Sequence, residues 1–103
     1  MQSLQTIEQF SDLKSQGKTV FLFTAGWCPD CHFIDPFMPE IEEKFEDIQF
    51  VSVNRDDFID LCGDLNIFGI PSFVAFENGG ESSRFVSKDR KTQIEIEEFL
   101  ESL

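Results

Sequence analysis

Val20-Phe21-Leu22-Phe23-Thr24-Ala25-Gly26-Trp27-Cys28-Pro29-Asp30-Cys31 is the stretch on which the reading of this chain turns. The unbroken apolar run over residues 19 to 24 predicts a strand buried on both faces, hence central in a sheet covered on two sides. Two thiols three residues apart follow at its C-terminal end, and beyond them apolar residues recur at helical spacing. Pro29 suits the first turn of that helix, where a missing N–H leaves no bond unmade. A cysteine at a helix N-terminus faces unpaired backbone N–H groups and the positive end of the helix dipole, which favours its thiolate and lowers its pKa. Cys28 is thereby a candidate nucleophile and Cys31 its resolving partner.

Cysteines at this spacing also occur in metal knuckles and, where a His follows as His32 does here, in covalent haem attachment. A mixed zinc site from Cys28, Cys31, His32 and Cys62 has the right count. Adjacent helical residues point about 100° apart, however, so Cys31 and His32 do not easily share one small ion. Haem attachment calls for export, and Met1-Gln2-Ser3-Leu4 has neither the basic nor the apolar region of an export signal.

The chain's 103 residues suit one domain, 1–103, and a hydrophobic content of 41% is ample for one core. The apolar runs are strand-length, too short to span a membrane as a helix. The expectation is a cytoplasmic protein, where thiols are kept reduced and a close cysteine pair is catalytic or metal-binding rather than a structural staple. A net charge of −12 argues against nucleic acid or anionic membrane as partner, since phosphates demand a basic surface. Four of the eight basic residues, Arg84, Lys88, Arg90 and Lys91, nevertheless fall in one short stretch. Monomer is the expected state, with no heptads or exposed apolar edge to argue otherwise.

Along the chain, Thr6 with Gln9 predicts a capping box for a first helix, with Ile7, Phe10 and Leu13 as its stripe and Gly17 at its end. Residues 1 to 4 suit a short edge strand. From Pro29 to about Phe45 the pattern is helical, with Phe33, Phe37, Ile41 and Phe45 at fourfold spacing. Pro36 should kink that helix, and Pro39 adds to the break. Residues 48 to 54 form a second strand, and a short helix spans about Phe58 to Leu65. The run Phe73-Val74-Ala75-Phe76, the turn Asn78-Gly79-Gly80 and a strand near Arg84 to Val86 make a hairpin. Thr92 with Glu95 caps a closing helix whose stripe is Ile96, Phe99, Leu100 and Leu103.

Four separated landmarks, Trp-Cys-x-x-Cys after the first core strand, Pro36 five residues beyond the second Cys, Ile70-Pro71-Ser72 opening the hairpin, and Phe76-Glu77-Asn78-Gly79-Gly80 at its turn, make the chain resemble the thioredoxin family over almost its whole length. The Cys-Pro-Asp-Cys variant is similar to that of small thioredoxin-like proteins of Gram-positive bacteria rather than to the usual Cys-Gly-Pro-Cys. The resemblance implies an α/β thioredoxin fold, a central mixed β-sheet flanked by helices on both faces. It implies a protein-disulfide reductase working by dithiol exchange through Cys28 and Cys31, with no cofactor. Disulfide-containing proteins would be its substrates, and a thioredoxin reductase or a low-molecular-weight thiol its electron donor. Pro71 matches a cis proline beside the active disulfide, so Ile70 would offer main-chain groups to an extended substrate, with Trp27, Pro29 and Gly69 bordering the same site. Two further readings stand beside this one. A glutaredoxin-like role would remove small-thiol adducts with Cys28 alone, and a binding module would use the fold without its cysteines.

Three departures from the family pattern matter. Leu22 stands where many relatives carry a buried Asp, and Ser52 replaces the Lys that partners it. The proton relay assigned to that pair is therefore missing, leaving Asp30 or bulk water to accept the proton of Cys31. Asp30, as an anion, should also oppose the helix dipole at Cys28, and His32 is a second candidate for tuning the thiolate. The third departure is the loop Ser87-Lys88-Asp89-Arg90-Lys91, longer and more basic than its counterpart, which in the resembling fold borders the groove; it suits either an ordinary solvated capping loop or a cationic rim that draws in carboxylate-bearing thiols or an acidic protein. Cys62 is expected to be a small buried core residue. Phe68 suits either an apolar groove wall or the core.

Overall fold

In a computed structural model describing residues 1–103, the apolar run becomes β2 (Lys18–Thr24), the middle strand of five. Its neighbours are β3 (Gln49–Asn54), parallel to it, and β4 (Ser72–Glu77), antiparallel; β1 (Gln2–Ser3) and β5 (Gly80–Phe85) form the edges, giving the order β1-β3-β2-β4-β5. Strand side chains alternate, so β2 serves two cores. Phe21 and Phe23 enter one cluster with Phe10, Leu13, Val51, Leu61, Cys62 and Phe76. Val20 and Leu22 enter the other with Ile34, Met38, Ile41, Phe73, Ile96 and Leu100.

The helices divide accordingly. The buried residues of α1 (Ile7–Lys14) and α4 (Ile59–Asp64) belong to the first cluster; those of α2 (Pro29–Ile34), α3 (Met38–Lys44) and α5 (Gln93–Glu101) belong mainly to the second. Aromatic edges fit the first core together: Phe10 lies 4.8 Å from Phe21, and Phe76 meets both rings edge-on at 5.7 and 5.6 Å. No helix is long and apolar enough to cross a membrane.

Pro36 interrupts the expected long helix. A 3₁₀ turn at Asp35–Phe37 separates α2 from α3. The residues that turn inward are Cys31, Ile34, Met38 and Ile41, so the fourfold stripe fails at Phe33, which is exposed. Ile7, in the first turn of α1, is likewise half exposed. The box at Thr6 is only half made. Thr6 accepts from the Gln9 N–H at 3.1 Å, but the longer Gln9 side chain reaches past it to the N–H of Gln5. Thr92 and Glu95 complete theirs. Strand β5 runs earlier than its apolar residues indicate, ending at Phe85; an exposed edge strand of Glu, Ser and Arg carries little hydrophobic signal.

Candidate active site

Cys28 is the N-cap of α2, placed at the end of β2 by the short link Ala25-Gly26-Trp27. Its sulfur accepts the N–H of Cys31 at 3.2 Å, as a serine or aspartate oxygen does at an N-cap. The same sulfur lies 3.8 Å from the carbonyl oxygen of Ile70, to which its thiol donates. Both cysteines are buried, with Ala25 and a partly buried Ile70 against them. All three cysteines carry free thiols.

Burial pushes Cys31 up to about 11, the neighbouring Cys28 thiol adds to the rise, and the Thr24 hydroxyl and Ala25 backbone oppose it. The resting state therefore keeps a protonated Cys31 directly behind Cys28.

The Ile70-Pro71 peptide bond is cis, and the Ile70 carbonyl faces the Cys28 thiol. Gly69 before it leaves no room for a side chain: a Cβ there would lie 2.4 Å from the backbone oxygen of Ser87. Ser72 closes the segment by donating to the Gly69 carbonyl at 2.5 Å. Trp27 and Phe68 are each more than 60% exposed, at 61% and 64%, so Phe68 belongs to the surface rather than the core. Trp27 is nevertheless anchored, since its indole N–H donates to Asp56 at 2.8 Å and Arg55 stands over the ring at 5.8 Å. Pro29, at the first helical position, is exposed beside Cys28.

His32 is exposed and occupied on both nitrogens. Its Nε2 lies 2.6 Å from the Gly26 carbonyl and its Nδ1 lies 3.4 Å from the Asp35 carboxylate, so the ring ties α2 to the link carrying Trp27. Asp30 is engaged by Arg90, whose Nε donates to it at 2.8 Å while the guanidinium covers the Phe33 ring at 4.4 Å. Its negative charge is thus matched locally.

Of the two readings of the basic loop, the cationic rim is largely absent. Arg84 is held by both carboxylate oxygens of Glu81 and donates to the Leu65 carbonyl, Arg90 is paired with Asp30, and Lys91 is buried at 1% exposure. Only Lys88 of the four remains exposed without such an engagement. Cys62 is buried in the aromatic core, where burial raises its thiol, and the cysteine pair lies in a separate cluster. No three His, Cys, Asp or Glu side chains converge to hold a metal ion, so the zinc ligand set drawn from the sequence is not assembled.

Residue types alone left Asp56 and the burial of Lys91 unread. Lys91 did carry a signal: it immediately precedes the N-cap Thr92, the place of a hydrophobic staple, whose partner four residues into the helix is the buried Ile96.

The thioredoxin family model matches residues 3–102. A thioredoxin of Mycoplasma genitalium is 36% identical over 92 residues, covering 88% of this chain and 90% of its own. The mitochondrial thioredoxin-2 of Schizosaccharomyces pombe is 30% identical over 96 residues, covering 89% and 72%. Among solved structures, mitochondrial thioredoxin 3 of Saccharomyces cerevisiae superposes with a TM-score of 0.88 over 100% of this chain and 95% of that one, at 22% identity, a likeness of fold. Sequence, fold and a paired-cysteine helix N-terminus agree that this chain belongs to the thioredoxin family.

Proposed function

We propose that Cys28 is the attacking thiol and Cys31 the resolving thiol of this protein-disulfide oxidoreductase. The Cys28 thiolate attacks one sulfur of a substrate disulfide, forming a mixed disulfide and releasing one substrate thiolate, which takes up a proton. Cys31 loses its proton to solvent and attacks Cys28, the second substrate thiolate leaves, and the pair Cys28–Cys31 is oxidised by two electrons while the substrate is reduced by two. The observation that carries this assignment is the asymmetry of the pair: Cys28 caps the helix and receives an N–H bond on sulfur, while Cys31 stays buried and protonated behind it.

The substrate backbone lies, on this reading, along Gly69-Ile70-Pro71, with Trp27, Pro29 and Phe68 as exposed apolar borders. His32 orients the Gly26-Trp27 link, and Asp30 orients the neighbouring loop through Arg90 instead of accepting the proton. A thioredoxin reductase or a low-molecular-weight thiol restores the dithiol, and the protein acts as a cytoplasmic monomer. Trapping tests the assignment. Cys31→Ser should accumulate a covalent complex with a disulfide-bearing protein and lose turnover, and Cys28→Ser should form none. Sustained turnover by Cys31→Ser with small-thiol adducts would instead establish the glutaredoxin-like role. Undiminished function of the double variant would establish the binding module.

A further inference from the structure

Lys91 is a charged side chain in a place that ordinarily holds an apolar one. The residue is 1% exposed and immediately precedes Thr92, the N-cap of α5, whose fourth helical residue, Ile96, is buried. The ammonium has three N–H donors and three acceptors, all from its own loop: the Ser87 carbonyl at 3.3 Å, the Ser87 hydroxyl at 3.0 Å and the Asp89 carbonyl at 3.1 Å. It also stands 5.1 Å from the Phe85 ring. Such a cage suits a retained cation, because every proton of the charged form is bonded.

The loop that encloses this cation touches both halves of the cysteine site. Ser87 packs its backbone directly on Gly69, next to Ile70, and Ile70 packs on Cys28 and Cys31. Arg90 is bonded to Asp30, the residue before Cys31. The loop that buries the cation is therefore seated against both the helix and the cis-proline segment that flank the resolving thiol. Leu22 and Ser52 supply no charge to the thiol.

We propose that Lys91 is the positioning residue for the resolving step, the buried cation against which Cys31 becomes a thiolate when it attacks the mixed disulfide. The inference rests on the roles given above to Cys28 and Cys31. Burial lowers the proton affinity of the Lys91 amine, and the acidic groups ranged round it, Asp89, Cys31, Glu95 and Asp30, oppose that lowering. Attraction between ammonium and thiolate is mutual. In the resting dithiol, burial and the Cys28 thiol dominate at Cys31. Once Cys28 is covalently joined to substrate it has no proton and no charge, its opposition disappears, and the Lys91 field remains. Arg90 is the other cation near the pair and is already neutralised by Asp30; His32 faces Gly26 and Asp35. The proton of Cys31 passes to solvent, and Lys91 keeps its own.

Rapid mixing of the reduced protein with dipyridyl disulfide, a neutral chromogenic disulfide, separates the two steps. The first release of pyridinethione depends on reagent concentration and reports Cys28; the second is concentration-independent and reports attack by Cys31. In Lys91→Met, the second phase should slow at neutral pH at least tenfold, with its pH midpoint raised by about one unit or more, while the first phase persists. Lys91→Gln supplies the neutral side chain should Lys91→Met not fold, and Lys91→Arg should restore the native midpoint. Lys88→Gln, a charge removed from the exposed part of the same loop, should leave both phases unchanged. A folded neutral variant with native second-phase rate and midpoint would overturn the role of Lys91. Loss of the first phase in the native protein would instead overturn the role of Cys28.

Discussion

Cys31 carries a protonation cost that is visible in stability as well as in chemistry. An ordinary thiol titrates near 9.0, and burial with the Cys28 neighbour holds the folded one at about 11. Between those values the unfolded chain releases a proton that the folded chain keeps, so this group's contribution to stability is unchanged below the lower value and falls as pH rises toward the upper. Lys91 acts with the opposite sign. Its ammonium is held below the ordinary 10.5, so the folded chain releases that proton first and gains stability with rising pH. Comparing the reduced native protein with Cys31→Ser removes the thiol's contribution and also its opposition to the lowering at Lys91, and both changes have the same sign. The native protein should lose stability more steeply through the alkaline range, with the thiol itself accounting for up to roughly 1.4 kcal/mol per pH unit. Denaturant titrations in that range read the two slopes, and equal slopes would show that Cys31 is not held protonated by the fold.

At the scale of elements, the cis-proline segment depends on how closely the loop after β5 approaches it. A Cβ at Gly69 would meet the Ser87 oxygen at 2.4 Å, its carbonyl carbon at 2.7 Å and the Lys88 Cα at 2.8 Å, all backbone atoms that cannot rotate aside. Gly69→Ala should therefore cost about 1–3 kcal/mol, a fall in Tm on the order of 10 °C for a domain of this size. Gly26→Ala, where a Cβ meets nothing within 4 Å, should melt near the native temperature. Thermal melts of the pair check this, and equal melts would mean the loop is not seated on Gly69. This contact also marks where legibility in the sequence ended. Central strand, helix break at Pro36, hairpin turn and cysteine pair were readable because each rests on local pattern or fixed backbone chemistry. The inward face of α2 and α3 was not, because a strict fourfold spacing drifts about 40° per step round a helix, whereas the buried Cys31, Ile34, Met38 and Ile41 follow the alternating three-and-four spacing of one face. Nor was the basic loop, because charge counted along a chain does not reveal that Arg84 and Arg90 find carboxylates and Lys91 turns inside.

Across the whole molecule, one strand with two inward faces organises two cores and delivers the cysteine pair to its end. The net charge of −12 is spread over a surface on which several cations are already paired, so long-range attraction of anionic partners has little to draw on. On the proposed substrate path, selectivity would then rest on the main-chain edge at Ile70 and on the exposed Trp27 and Phe68. The redox potential is likewise a property of the whole chain, because it measures how much the folded state favours disulfide over dithiol. Trp27 is the only Trp, Tyr is absent, and the ring adjoins Cys28, so its fluorescence reports the pair with little background. The most direct test is to titrate that fluorescence in defined thiol–disulfide buffers, in the native chain and in Cys28→Ser and Cys31→Ser. The account predicts a single two-electron transition, lost in both variants, with a midpoint near about −270 mV, the range of a reductant of protein disulfides. A midpoint above about −200 mV would contradict the reductase direction, and no transition in the native chain would contradict dithiol exchange itself.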